Sequence, residues 1–218
     1  MRLPPATTGL LWALGIGFLL QQVVSPETMR YFSLWPLGEY AAGFAADGTP
    51  ISVGFLPWQI ITYAFLHGGF GHLFFNAFAL FMFGASLEET WGQKRFLTYF
   101  FTCVAGAGLI QLLVATSGVT GQGVYQTVGA SGGVFGLLLA YGLLFPNRQL
   151  LLLIPPIPMK ARTFVIVFGV IELLLGVFST QSGIAHFAHL GGMLFGWLLI
   201  RYWRGQPPFR PRGPRLVR

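Results

Sequence analysis

The sequence predicts an all-α polytopic membrane protein with six transmembrane helices, on three observations. First, 54% of its 218 residues are hydrophobic and only 9% are charged, whereas soluble domains average about 25% charged residues. Second, six apolar segments come near the length of about 20 residues that a spanning helix needs. Third, the basic residues cluster in alternate connections. The segments cover residues 8–24, 72–86, 96–116, 131–145, 162–180 and 189–203.

The first segment and the connection after it differ in character. Only Arg2 precedes segment 8–24, and no small-residue cleavage site follows it, so it is interpreted as a spanning helix and not as a signal peptide. Residues 25–71 are too apolar for a solvated linker and too interrupted by proline to span. Tryptophan and tyrosine favour the membrane–water interface. Trp35 and Trp58 therefore predict a large first loop lying partly in that interface.

The basic residues predict the orientation of the chain. Only Arg30 of the 13 lies in the first, third or fifth connection; the others lie at the amino end, in the second and fourth connections and after residue 200. Because positive loops stay in the cytoplasm, both termini are predicted to be cytoplasmic. Residues 1–203 are predicted to form the membrane domain, and the basic, proline- and glycine-rich residues 204–218 a disordered tail. The net charge of +7 thus reflects the topology of the chain, and its basic residues are expected to contact the lipid bilayer. A nucleic-acid partner is not predicted.

The second, fourth and sixth segments all enter the membrane from the extracytoplasmic side in this topology. Each begins with polar residues: His72 and Asn76, then Ser131, then His189. Such groups are costly against lipid and should face the bundle interior or a water-filled cavity. Their convergence at one depth predicts a site.

The residue types at this depth indicate acyl-transfer chemistry. A serine such as Ser131 needs a base, and the imidazole of His189 can supply one. His72 and Asn76 are four residues apart on one helix face, and the Ser131 backbone N–H begins a helix, where amides lack intrahelical partners. These three donors would form an oxyanion pocket. No carboxylate is predicted beside His189, so the sequence favours a dyad.

Small residues predict how the fourth and sixth helices approach each other. Gly129 and Gly132 flank Ser131, while Gly192 and Gly196 follow His189 on its own face. Small residues in apolar helices allow close packing, so glycines of the two helices should face each other. Phe135, one turn after Ser131, would then lie under the imidazole of His189.

His186 is the alternative base, three residues before His189 on the same stripe. It ends the fifth connection, where it is predicted to be wetter and more mobile. His189 has Gly192 one turn deeper, which permits close approach to Ser131, and is therefore favoured.

Taken together in this order, the motifs resemble those of rhomboid intramembrane serine proteases of the prokaryotic six-helix type, from about Trp58 to Gly196. The motifs are His72-x-x-x-Asn76, Gly84-x-x-x-Glu88, Gly129-x-Ser131-Gly132 and Ala188-His189-x-x-Gly192-x-x-x-Gly196.

The resemblance implies a role for each residue of the site. Ser131 would be the nucleophile and His189 the base, and His72 with Asn76 would line the oxyanion hole. It also implies a bacterial inner membrane, single-pass or polytopic membrane proteins as substrates, and neither cofactor nor metal. Two positions depart from the family: Gln59 follows Trp58 where arginine is frequent, and Phe135 stands where some members have tyrosine.

Three further polar residues have structural interpretations. His67 is interpreted as a structural partner in the loop before the second helix. Glu88 is interpreted as a cap or as a partner near Lys94 and Arg95. For Glu172, inside an apolar segment, two interpretations remain: a buried structural acid, or part of a gate formed by the fifth helix and residues 181–187.

Two other classes of function are less consistent with the sequence. Catalytically inactive rhomboid-like proteins, which bind membrane clients, lack the serine or the histidine, and this sequence retains both. A small transporter would show internal repeats, and the sequence shows none.

Overall fold

The computed structural model describes residues 3–44, 48–118, 124–151, 156–178 and 185–209, and these are mainly helical. The helices are α1 Pro5–Val23, α2 Pro26–Arg30, α3 Gln59–Thr62, α4 Phe70–Ala79, α5 Ala85–Trp91, α6 Gln93–Ser117, α7 Ser131–Leu144, α8 Ala161–Phe178 and α9 His186–Arg204. Two antiparallel hairpins accompany them: β1 Tyr40–Phe44 with β2 Pro50–Val53, and β3 Gln149–Leu151 with β4 Pro158–Lys160.

Within the described residues, four helices are long and apolar enough to cross a membrane: α1, the continuous helix Phe70–Trp91, α6 and α8. The helix α7 is apolar but has only 14 residues, and α9 has 19 residues and carries Arg201 and Arg204 in its last turn. The predicted all-α polytopic membrane fold is confirmed, and each predicted segment corresponds to a helix. That all six helices span the membrane stays a prediction.

Four predicted helix boundaries differ from the structure by three residues or more: α1 and α6 each begin three residues early, and the other two lie in the second and sixth helices. The second helix was predicted to end at residue 86, but after a π-helical stretch, Leu80–Gly84, it continues as α5 to Trp91. It continues because Leu87 and Glu88 are buried against the rest of the bundle. The sixth helix begins at His186 and not at His189.

The centre of the bundle is the packing of α6 against α7 and α9. Tyr99, Phe100 and Cys103 of α6 are fully buried there. The predicted pairing of glycines is only half right. Gly192 meets α7, but a Cβ on Gly196 would collide with the Tyr99 side chain of α6. Tyr99 lies between α7 and α9 at this level, and its hydroxyl donates a hydrogen bond to the carbonyl oxygen of Gly136 (2.9 Å).

The buried carboxylate of Glu88 caps the amino end of α1. Its oxygens accept hydrogen bonds from the backbone N–H groups of Ala6 (2.8 Å) and Thr7 (2.7 Å), and from the Thr7 hydroxyl (2.8 Å). First-turn amides have no partner within their own helix, and a negative charge at that end also suits the helix dipole. Glu88 is thus a cap, as one of its two interpretations held, but of a helix distant in sequence.

We expect Glu88→Gln to lower the free energy of unfolding by about 2 kcal/mol, since hydrogen bonds to charged groups contribute about 1.5–3 kcal/mol each. Reversible unfolding in mixed micelles measures the change. Glu89→Gln is the matched control, because Glu89 is the next residue and is exposed; it should change stability by less than about 0.5 kcal/mol. Equal effects of the two variants would contradict the capping role.

The first loop is folded around the buried amide of Gln59. Its Oε1 accepts hydrogen bonds from the backbone N–H groups of Trp35 (3.3 Å) and Leu56 (3.2 Å). Its Nε2 donates to the carbonyl oxygens of Tyr31 (3.3 Å) and Gly54 (3.4 Å). One neutral side chain therefore satisfies four backbone groups, which explains how the loop is anchored without an arginine at this position.

Parts of several predictions fall outside the described residues, among them residues 45–47 of the predicted first loop, residues 179–184 of the predicted gate and residues 210–218 of the predicted disordered tail. The fourth connection contains the β3–β4 hairpin.

Candidate active site

The segment that leads into α7 is fixed by backbone hydrogen bonds to the first loop. Leu34 and Thr127 exchange two hydrogen bonds, with N···O distances of 3.0 and 2.8 Å. The N–H of Gly129 donates to the carbonyl oxygen of Tyr63 (2.9 Å). Ser131 follows as the first residue of α7. The folded loop thus determines where the serine lies.

Gly129 allows His72 to approach this segment. Its φ of +121° is one that side chains rarely permit, and a Cβ there would lie 2.5 Å from Cε1 and 2.7 Å from Nε2 of His72. Because Nδ1 of His72 accepts a hydrogen bond from the N–H of Gly68 (3.3 Å), its ring proton lies on Nε2. His72 therefore presents an N–H donor beside the backbone that precedes Ser131.

Asn76 is buried on α4 one turn after His72. Its Nδ2 donates a hydrogen bond to the carbonyl oxygen of His72 (2.8 Å). That bond uses one of the two amide hydrogens and fixes the side-chain rotamer, which leaves the second hydrogen as a donor. The part of His72 and Asn76 in an oxyanion hole stays a prediction.

Ser131 and His189 are in the predicted contact. The Oγ atom of Ser131 lies 2.7 Å from Nε2 of His189. The helices α7 and α9 meet so closely here that a Cβ on Gly192 would collide with the carbonyl oxygen of Gly132. Gly132 itself packs against Ala107 of α6, where a Cβ would also collide.

The ring of Phe135 fixes the plane of the imidazole of His189. The two rings are stacked, with centroids 4.3 Å apart and an angle of 7° between their planes. The stacking needs only an aromatic face, so phenylalanine serves at this position without a hydroxyl group.

A carboxylate lies beside His189, contrary to the prediction. Oε2 of Glu172, on α8, is 2.9 Å from Nδ1 of His189. The same oxygen is 2.6 Å from Nδ1 of His186. The prediction failed because α8 is almost uniformly apolar, so its sequence gives no sign of which face meets α9.

The environment of His186 also differs from the prediction. His186 was predicted to be wet and mobile, but it is 4% exposed. The reason is that α9 begins at His186 and the hydrogen bond to Glu172 holds the ring inside the bundle. Only a lone acid in an apolar segment, with two histidines nearby in sequence, could have indicated this cluster.

His67 lies behind His72, outside the spanning helices. Their ring centroids are 5.2 Å apart, with the rings nearly perpendicular. Burial, with a smaller contribution from the neighbouring His72, lowers the pKa of His67 to about 4. His67 is therefore neutral at pH 7 and packs against His72, in agreement with its structural interpretation.

One cluster of the described residues has the donor atoms for a metal ion. Glu172, His186 and His189 each offer one ligand atom, and these atoms lie within 4.8 Å of one another. The two hydrogen bonds at 2.6 and 2.9 Å already account for this convergence.

The fold and the side chains together define a class: a polytopic membrane protein that carries a hydrogen-bonded serine and histidine at the ends of two packed helices. A family model, the Rhomboid domain, matches residues 56–205. Since the match covers more than half of the chain, the protein belongs to the rhomboid family. Its apolar helices and its family make it an integral membrane protein.

Several relatives are named as rhomboid proteases. The chain is 36% identical over 144 residues to the putative rhomboid protease YdcA of Bacillus subtilis, covering 65% of each. It is 32% identical over 148 residues to the rhomboid protease GluP of the same bacterium, covering 64% of this chain and 25% of the relative. It is 24% identical over 200 residues to the rhomboid protease GlpG of Serratia proteamaculans, covering 91% and 62%. The chain thus spans less than two thirds of the length of these relatives.

Proposed function

We propose that the protein is an intramembrane serine endopeptidase, which hydrolyses a peptide bond in or near the transmembrane segment of another membrane protein. The observation that carries the proposal is the 2.7 Å contact between Oγ of Ser131 and Nε2 of His189. The names of its relatives, rhomboid proteases, support the same activity.

The proposed reaction begins when His189 Nε2 takes the hydroxyl proton of Ser131 and Oγ attacks the peptide carbonyl. The negative charge that develops on the carbonyl oxygen needs fixed donors. The backbone N–H of Ser131, the Nε2–H of His72 and the second amide hydrogen of Asn76 supply them. His189 then gives its proton to the leaving amine, and water hydrolyses the acyl-enzyme with His189 again as the base.

Single-pass or polytopic membrane proteins are the proposed substrates, and both termini of the enzyme face the cytoplasm of a bacterium. The distribution of basic residues supports this orientation. It places Ser131 near the extracytoplasmic surface. Because carbonyl groups within a helix are hydrogen-bonded, a substrate has to unwind at its cleavage site, and helix-breaking glycine or proline near the outer boundary favours this.

Cleavage by the purified protein tests the proposal. The protein and a single-pass substrate with glycine near its outer boundary are reconstituted in liposomes, and the products are mapped by mass spectrometry. We expect one cut at or just inside the boundary. Binding without any cut, over a panel of such substrates, would instead indicate a catalytically inactive client-binding protein.

We expect Asn76→Ala to lower kcat by about 10²–10³, the usual effect of removing one oxyanion donor, with KM unchanged. The amide acts on the tetrahedral intermediate and not on the bound substrate. Asn147→Ala is the control, since Asn147 is exposed in the fourth connection. A variant in which only KM rises would show that Asn76 contacts substrate or packs the helix.

We expect Gly192→Ala to lower kcat at least about tenfold, because its Cβ would push α9 away from the carbonyl oxygen of Gly132. A displacement of about 1 Å at reacting atoms can cost about 10²-fold in rate. Gly9→Ala, at a helical glycine with nothing within 4 Å of a Cβ, is the control. Full activity of Gly192→Ala would contradict the proposed dependence of the Ser131–His189 contact on this packing.

A further inference from the structure

We propose that Glu172 is a positioning residue for the base: its carboxylate holds His189 in the tautomer and orientation that catalysis requires, so that the site works as a Ser–His–Glu triad. The proposal rests on the proposed function and deepens it.

The burial of Glu172 indicates a specific purpose for its charge. It is the one acid in the sequence of α8, and it is 8% exposed, whereas its neighbours Ile171 and Leu173 are 42% and 49% exposed. An ionisable group at membrane depth costs about 2.5–3.5 kcal/mol on insertion scales, and it faces the bundle interior when it has a partner there. Glu172 lies on the side of α8 that contacts the two histidines of α9, so its charge has partners there.

The hydrogen bonds decide where the proton of His189 lies. An ionised carboxylate only accepts hydrogen bonds, so Nδ1 of His189, at 2.9 Å from Oε2 of Glu172, is the protonated ring nitrogen. Nε2 is then left without a proton and can accept the hydroxyl proton of Ser131 at 2.7 Å. This is the tautomer that a general base needs.

Stacking on Phe135 cannot fulfil this role. A rotation of the imidazole by 180° about its Cβ–Cγ bond keeps the ring in the plane that Phe135 sets, but it exchanges nitrogen and carbon positions. The hydroxyl of Ser131 contacts Nε2 and favours one of the two orientations, but a group that accepts a hydrogen bond at Nδ1 is needed to keep the ring proton on that nitrogen. Of the described residues, Glu172 provides that contact.

His186 fixes the carboxylate itself. Its Nδ1 lies 2.6 Å from the same oxygen, and its ring is nearly perpendicular to that of His189, at 89°. Glu172 is thus held from the first turn of α9 by two donors. When His189 takes up the proton of Ser131, the neighbouring carboxylate stabilises the resulting imidazolium.

The test combines the nitrogen-15 spectrum of histidine-labelled protein with kinetics, in wild type and in Glu172→Gln. The glutamine keeps the shape, but its amide offers an N–H as readily as an oxygen. We expect His189 to carry its proton on Nδ1 in wild type at pH 8, and on Nε2 in a large fraction of Glu172→Gln. We expect kcat to fall about 10²-fold or more, since general-base catalysis contributes typically 10²–10⁴, with KM unchanged.

Two further samples separate positioning from simple loss of structure. In His186→Gln, the Glu172–His189 bond remains, so His189 should keep its tautomer and activity should fall less than in Glu172→Gln. In wild type treated with a metal chelator, the spectrum and the rate should not change. A chelator-dependent tautomer would assign the cluster to a metal ion and overturn the proposal.

An unchanged His189 tautomer in Glu172→Gln, or a kcat within threefold of wild type, would also overturn it. If that variant does not fold, the wild-type spectrum decides: a His189 proton on Nε2 contradicts the proposal, and a proton on Nδ1 supports it. A wild-type protein that shows the expected tautomers but cleaves no substrate would refute the proposed function and leave the positioning by Glu172 standing.

Discussion

Ser131→Ala is expected to abolish cleavage of a transmembrane substrate while the protein stays folded. The change removes the attacking oxygen, and neither His189 nor the oxyanion donors can replace it. It should not unfold the protein, because one hydroxyl group is lost at a helix start that Gly132 and its packing against Ala107 hold in place. Cleavage in liposomes and thermal unfolding in detergent measure the two effects.

Ser117→Ala is the control for this substitution, since Ser117 is an exposed serine at the end of α6. It should cleave at the wild-type rate. Undiminished proteolysis by Ser131→Ala would locate the activity elsewhere and refute the assignment of the nucleophile.

His189→Ala is expected to abolish cleavage as well, whereas His186→Ala should retain measurable activity. His189 alone of the two contacts Oγ of Ser131. His186 is hydrogen-bonded to Glu172, so its loss leaves the base in place and loosens the carboxylate. Both variants lose one buried hydrogen bond to Glu172, which makes each a matched control for the other. Retained activity in His189→Ala, with none in His186→Ala, would move the base to His186.

The polar entry turns of the helices could be recognised from the sequence. His72, Ser131 and His189 are polar residues at the starts of apolar segments, and the alternation of basic connections puts these starts on one side of the membrane. The prediction that Ser131 contacts His189 combined this common depth with the glycines that let two helices approach closely. All of these features can be identified from neighbouring residues or from the order of the segments along the chain, without knowledge of how the helices pack.

The contacts that were not predicted depend on the orientation of each helix about its own axis, that is, on which face meets which neighbour. An apolar helix such as α8 has no polar face, so nothing in its sequence turns Glu172 toward His189. For the same reason Gly196 was wrongly predicted to contact α7, whereas the side chain of Tyr99 from α6 occupies that space. The cap that Glu88 provides for α1 depends on the meeting of helices more than 80 residues apart.

Labelling with a fluorophosphonate shows directly whether His189 activates Ser131 as a nucleophile. The reagent forms a covalent bond only with an activated serine, and mass spectrometry of the digested protein identifies the residue. We predict that the label is found on Ser131 in wild type, and that His189→Ala abolishes it without unfolding the protein. A label on another serine would refute Ser131 as the nucleophile, and a Ser131 that reacts equally well without His189 would refute its activation by His189.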